Sequence, residues 1–259
     1  MSFRYIEIEH RNHVAIIWLN RPERRNALNC QFVRELSAAV TEINGNPETR
    51  VIVLMGRGRL FCAGADLTDV YDPDIENAEQ LIENLYKPLL SQILASEKLF
   101  ISAVTGTAVG AGASLALVCD LTLMSSNANL SFAFTTMALV PDCGASWLLV
   151  RQLGYKRALQ VIAEGQQLTA LQCQQVGLCN EIVEPESLEQ ATLAMAERLA
   201  ERAPLAISLS KQLLQQACEQ PYNEMVSAEA KAQYRCEQSS DFAEAKSAFF
   251  EKRPPVFGK

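Results

Sequence analysis

The chain has 259 residues, 49% of them hydrophobic, with 30 acidic against 23 basic side chains and a formal net charge of −7. That length suits one large domain, or one with a helical appendage, and the acidic surface argues against nucleic acid as a partner, because duplex binding needs a cationic face. No apolar run approaches the length of a membrane span, and the opening residues lack the apolar core of a signal segment. The expectation is a soluble, cytoplasmic protein with no membrane partner. The eight cysteines form no C-x-x-C pair and several sit in apolar runs, so neither a disulfide framework nor a zinc site is expected, and His10 and His13 are the only histidines.

In chain order, residues 5–9 alternate and residues 14–19 form a short apolar run, which predicts two opening strands with a turn near Arg11 and Asn12. Residues 27–43 carry helical spacing, with Phe32, Leu36, Val40 and Ile43 on one stripe. Residues 51–56 (VIVLMG) read as a buried strand, residues 100–104 as another, and a glycine-rich turn then leads into an apolar helix over 111–118. Short strands are expected at 121–124 and 130–134. Beyond Cys143 the pattern is helical: 145–152, 156–163, 170–175 and 188–200, then 205–218, 225–235 and 242–252 in a stretch rich in good helix formers. Strands alternating with helices, followed by helices alone, predict an α/β core with a helical C-terminal lobe, divided as 1–203 and 204–259.

Two segments share one design: a short apolar strand, small residues, then a helix. They are LFCAGADL (60–67) and ISAVTGTAVGAGASLALVCD (101–120). Small residues let a ligand approach the backbone. The first N–H groups of a helix lack internal acceptors and carry the positive end of its dipole. Two such turns facing one another can hold a developing oxyanion; the alternative is a pair of tight turns serving only packing. Neither segment is a phosphate-binding loop or a dinucleotide fingerprint.

Taken together, RPERRNALN (21–29), CAGADL (62–67), AVTGTAVGAGASLALVCDL (103–121), LVPDCGASWLLVRQLG (139–154), GQQLTALQCQQVGLCNEIV (165–183) and FFEKRPPVFGK (249–259) resemble the enoyl-CoA hydratase/isomerase, or crotonase, family in order and spacing across essentially the whole chain. The resemblance implies a spiral of ββα repeats with a C-terminal helical trimerisation region, assembled as a homotrimer or homohexamer. It implies an acyl-CoA substrate, with CoA part of that substrate and no separate cofactor or metal. The oxyanion-hole N–H groups map to Ala65 and Ala111, the latter where the family often has glycine. Ala63, Ala65, Asp66, Leu67 and Thr68 would line the adenine and pantetheine path. Arg25, and with it Arg24, would lie near the CoA phosphates, unless that loop is simply solvated.

Family hydratases use two glutamates, and this chain has Ser114 and Phe134 at the matching positions. Hydration needs one group to activate water and one to manage the α-proton, so the standard machinery is missing. Some family isomerases resemble this arrangement, with an acid in the loop that here reads Val140-Pro141-Asp142-Cys143-Gly144. Asp142 is therefore the candidate base, dried by Phe132, Phe134, Met137 and Leu139. Its other reading is an N-cap for the helix that follows. Asp120 reads as structural, and the polar stretch with Asp69, Asp72, Asp74 and Glu76 as a mobile flap. The expected activity is a double-bond shift in an enoyl-CoA. The alternatives are other chemistry of the family, including hydration or isomerisation of a ring-containing acyl-CoA, and a non-catalytic acyl-CoA binder.

Overall fold

A left-handed Asn12, φ 51°, turns the first hairpin, as asparagine does more readily than most residues. It joins β1 (Ile6–Arg11) to β2 (Val14–Leu19) in antiparallel register, with Arg11 opposite Val14. The computed structural model describes residues 3–69 and 71–258. The remaining strands are β3 (Val51–Gly56), β4 (Leu99–Val104), β5 (Thr107–Val109), β6 (Leu121–Ser125), β7 (Asn129–Ser131), β8 (Gln167–Thr169) and β9 (Glu181–Val183). They form a six-stranded sheet, β1-β2-β3-β4-β6-β9, and a three-stranded one, β5-β7-β8. From β2 to β9 every pairing in the large sheet is parallel.

The apolar runs that looked continuous in sequence divide by the period of two. Ala15, Ile17, Leu19, Ile52 and Leu54 enter the main core. Val14, Ile16, Trp18, Val51, Val53 and Met55 enter a second core under α8 (Leu188–Ala200). A sheet covered on both faces requires such strands. Each turn of the chain contributes one strand to the large sheet and a shorter partner to the other layer. β4 and β6 are followed by β5 and β7, and β3 is followed by Cys62, which bridges to Ala108. This is the spiral of strand–strand–helix repeats.

The helices are α1 (Cys30–Asn44), α2 (Ala78–Leu81), α3 (Lys87–Leu94), α4 (Ala111–Leu117), α5 (Ala145–Leu153), α6 (Tyr155–Ala163), α7 (Ala170–Gln175), α8, α9 (Pro204–Gln216), α10 (Tyr222–Glu237) and α11 (Ser240–Glu251). The first of them begins three residues later than its periodicity suggests, because Asn29 caps it by accepting from Phe32 N at 3.0 Å. A π-helical turn, Ile82–Tyr86, joins α2 to α3. The expected strand at 130–134 ends at Ser131; Phe134 instead starts a 3-10 turn, Thr135–Met137.

Three residues of the stretch expected to be a mobile flap make contacts with the rest of the fold. Asp72 pairs with Arg34, Asp69 accepts from Asn29 Nδ2 at 2.7 Å, and Ile75 is buried. The C-terminal helices are anchored from below. Lys211 of α9 donates to Asp120 Oδ2 at 2.9 Å and to the carbonyls of Ile93 and Lys98. Leu214, Tyr222, Tyr234, Phe249 and Phe250 on α9 to α11 are exposed. Among the described residues no helix is long and apolar enough to cross a membrane.

Candidate active site

Asn26 organises the first half of the site. It is fully buried and, with Arg25, takes the left-handed conformation. Its Oδ1 accepts from Arg21 N at 2.9 Å, and its Nδ2 donates to the carbonyls of Arg57 and Leu60 at 2.9 Å and Phe61 at 3.2 Å. One side chain thus clamps the 21–29 loop onto the strand end that leads to Gly64. The Cys62 thiol, pushed up to about 12 by burial, donates to Asn26 O at 3.1 Å and acts as neutral packing.

Beyond Cys62 the chain bridges to Leu28: Leu28 N donates to Gly64 O and Asp66 N to Leu28 O. Parallel bridging of that kind engages the residues on either side of Ala65 and turns its own N–H away. Among the described residues that N–H has no acceptor. Gly64, φ +85°, has room for no side chain: a β-carbon would stand 2.6 Å from Val109 O and 3.7 Å from Ala111 N. The same distances place the Ala65 turn directly against the start of α4. The first intrahelical bond there is Ser114 N to Gly110 O at 3.0 Å, so the Ala111 N–H also lacks a helical acceptor. Two free backbone donors therefore sit on adjoining turns.

Asp66 behaves otherwise than as a lining side chain. It is buried in an ion pair with Arg21 at 2.6 Å and accepts from Thr68 N and Oγ1 at 3.0 and 2.7 Å. Burial raises its pKa, but the Thr68 and Arg21 hydrogen bonds outweigh that and hold the carboxyl below its ordinary value. Its carboxylate stiffens the loop, whereas Leu67 and Thr68 are exposed and Ala63 partly so. Arg25 is exposed on a surface cavity of about 550 Å³ that Arg57 and Arg59 also line.

Asp142 lies against α4. Ser114 Oγ donates to its main-chain oxygen at 3.4 Å. Its Oδ1 is buried without a hydrogen-bond partner among the described residues. Burial raises the carboxyl's pKa, against a hydrogen bond from the Cys143 thiol. The capping role is excluded: Gly144 is the N-cap of α5, no side chain accepts from the first turn, and Ala145 N bonds Asp142 O rather than its carboxylate. Left-handed Cys143 and Gly144 separate Asp142 from the helix. The expected drying shell is corrected in part. Phe132 and Phe134 are buried, but Met137 and Leu139 are 56% and 55% exposed. Tyr86, which sequence periodicity does not single out, completes the neighbourhood. It is 3% exposed and its Oη has no partner among the described residues. Leaving such a group unpaired costs about 1–3 kcal/mol.

An apolar cavity of about 360 Å³ opens beside Cys143 and Gly144, between the π turn with α3 and the start of α5. Ile82, Leu90, Leu94, Val118, Cys143 and Trp147 line it. Larger cavities, of about 760 and 590 Å³, lie around Arg50 and Arg202 and contain none of these residues.

Residues 9–259 match the family model of enoyl-CoA hydratase/isomerase. A probable enoyl-CoA hydratase of Rhodobacter capsulatus is 37% identical over 257 residues, covering 99% of both chains. The 1,2-epoxyphenylacetyl-CoA isomerase of Escherichia coli is 34% identical over 247 residues, 94% of each. An enoyl-CoA hydratase subunit of Geobacillus kaustophilus superposes with a TM-score of 0.92 at 37% identity, covering 100% of this chain and 99% of that one. The chain belongs to the enoyl-CoA hydratase/isomerase family. It has the crotonase-type fold, and it is an acyl-CoA enzyme of hydratase/isomerase type.

Ser114 and Phe134, which the resemblance sets at the family's two glutamate positions, both lie beside the Ala111 turn. Ser114 is fully buried one turn into α4. Phe134 lays its ring edge against Gly110, whose β-carbon would be 3.7 Å away, just before the Ala111 donor. Asp120 has the structural place expected of it: it accepts from Phe100 N at 2.8 Å and pairs with Lys211.

Proposed function

We propose that this family member is an enoyl-CoA isomerase with Asp142 as its base. One observation carries the reading: a carboxylate beside α4 with one oxygen buried and unpartnered among the described residues, where the resemblance puts serine and phenylalanine at both hydratase positions. Asp142 takes the C2 proton of a 3-enoyl thioester. The C–H pair becomes part of a dienolate whose oxygen rests on the Ala65 and Ala111 N–H groups. The dienolate then takes the proton back from the Asp142 carboxyl at C4. The double bond moves to C2–C3, the carboxylate is restored, and no water is consumed. CoA is part of the substrate and the sequence of steps needs no resident cofactor or metal.

Arg25, with Arg59 beside it, supplies charge for the CoA phosphates. Ala63 and the Ala65 to Thr68 backbone form the adenine and pantetheine path. The isomerase name of the Escherichia coli relative supports a neighbouring reading, isomerisation of a ring-containing acyl-CoA, which uses the same base and the same oxyanion hole. Among the described residues no disulfide joins any of the eight cysteines, which suits a cytoplasmic setting.

The test is turnover of 2-enoyl- and 3-enoyl-CoA esters of several lengths, read by absorbance of the conjugated thioester and by mass spectrometry in labelled water. Isomerisation without solvent oxygen in the product supports the reading, and hydration with oxygen incorporated sinks it. The helical lobe is proposed as a trimerisation surface, because Phe249 and Phe250 stand 77% and 79% exposed. Light scattering should give a trimer or a multiple of three, and a stable monomer refutes it.

A further inference from the structure

Three buried side-chain polar atoms lack a hydrogen-bond partner among the described residues: Trp18 Nε1, Tyr86 Oη and Asp142 Oδ1. The indole lies beside the Glu9 carboxylate, away from the site. The other two belong together. The ionisable groups acting on the phenol are Cys143, Cys62, Asp142 and Cys30. Cys143 follows the proposed base and Cys62 leads into the Ala65 turn. Tyr86 closes the π turn whose first residue, Ile82, lines the apolar cavity that Cys143 also lines. π turns inside helices occur frequently at functional sites.

A phenol and one carboxylate oxygen, both buried and without a partner among the described residues, are a donor and an acceptor. A direct bond between them would satisfy both, and the structure has none. Buried polar groups are kept unpaired where something else completes them. From this pairing we propose that Tyr86 is a substrate-binding residue: its Oη–H donates to an oxygen on the acyl part of the bound thioester, and the site is built for acyl-CoA esters that carry an oxygen function near the carbons Asp142 serves. A plain hydrocarbon tail leaves the phenol as unsatisfied in the complex as in the free protein. An oxygenated tail satisfies it while presenting a C–H to Asp142. Burial holds the phenol well above its usual pKa, so it remains a donor at any working pH. The inference rests on the isomerase reading for the place of the acyl group.

Calorimetry tests it without turnover, using hexanoyl-CoA against 3-oxo- and 4-oxohexanoyl-CoA on the wild type and on Tyr86→Phe. The wild type should bind at least one oxo ester about tenfold more tightly than hexanoyl-CoA, the worth of one good neutral hydrogen bond. Tyr86→Phe should bind all three within about twofold. Its melting temperature should equal or exceed that of the wild type, because it removes an unpaired buried hydroxyl. Equal binding of the three esters by the wild type overturns the proposal, as does a preference that survives in Tyr86→Phe. A lowered melting temperature also overturns it, since the hydroxyl would then serve the fold. The isomerase reading fails separately: if Asp142→Asn keeps full turnover, that reading falls while a measured oxo preference stands.

Discussion

Asp120 and Asp142 flank the same helix, α4, and burial raises the pKa of both, yet their surroundings differ in kind. Asp120 receives Lys211 Nζ at 2.9 Å and Phe100 N at 2.8 Å, so it ties the end of α4 to β4 and to the C-terminal α9. Asp142 has a free, buried Oδ1 and a main chain held by Ser114. The paired carboxylate links elements of the fold. The other, the base we propose, keeps one buried oxygen unpartnered, and the fold bears that desolvation without recovering it through a cap or an ion pair.

The sharpest way to break this contrast is Asp142→Asn, which keeps the shape and removes the basicity. Turnover of a 3-enoyl-CoA should fall by roughly 10²–10⁴-fold, the span of general acid–base catalysis. Stability should move the other way or not at all. A carboxyl whose folded pKa is raised binds its proton more tightly in the folded state, so wild-type stability declines as pH rises from the unfolded to the folded pKa of Asp142. Asparagine removes that decline, and thermal melts at neutral pH should show an equal or higher midpoint. Full activity in the variant would move Asp142 to the structural side.

At Asp120 the opposite pattern is expected. Lys211→Met strands a buried carboxylate and should destabilise by about 3–5 kcal/mol, with turnover of the folded fraction unchanged. The loss should be greatest at high pH, where Asp120 is ionised, and smaller where it is protonated. Adding Asp120→Asn should recover part of it, because removing both partners is milder than removing one. Denaturant titrations of the single and double variants measure this. A smaller effect belongs to pH alone: kcat/KM should rise with pH along a one-proton limb centred above the ordinary aspartate value of about 3.9, since the base must be ionised and burial raises its pKa. A limb at or below that value would show Asp142 to be solvated in the working enzyme.

How far these roles were legible depended on the length of the signal. β3 (Val51–Gly56) stands where its apolar run placed it, as do α4 to α8 within a residue or two. Three-residue strands such as β5, β8 and β9 show no period of two to read, and only their pairing identifies them. The 69–76 stretch looked solvated because its partners, Arg34 and Asn29, lie some forty residues away in the chain. At the site, the small-residue turns and Asp142 were visible as motifs, but the cap reading of Asp142 falls only once Cys143 and Gly144 are seen to be left-handed. That the Asp66 side chain turns to Arg21 was not legible, because this partner is long-range. Tyr86 has no motif at all: its burial without a partner exists only in three dimensions.

The mildest test asks whether this site is a hydratase lacking one side chain. Ser114→Glu restores a carboxylate at one of the two family positions. Ser114 is fully buried, and its Oγ already sits 3.4 Å from Asp142 O. Glutamate adds a methylene and replaces the hydroxyl by a carboxylate in a volume sized for a hydroxymethyl group, which strains a packed core. A second carboxylate near Asp142 also disfavours ionisation of both. Phe134 still fills the other position, so the new acid lacks the partner that hydration requires. Crotonyl-CoA hydration should therefore remain within about tenfold of the wild-type level, less than the 10²–10⁴ that a working acid or base contributes, while 3-enoyl isomerisation declines. A large gain in hydration would mean that Asp142 can serve as the partner glutamate, and the division between the two aspartates would then hold while the isomerase assignment would not.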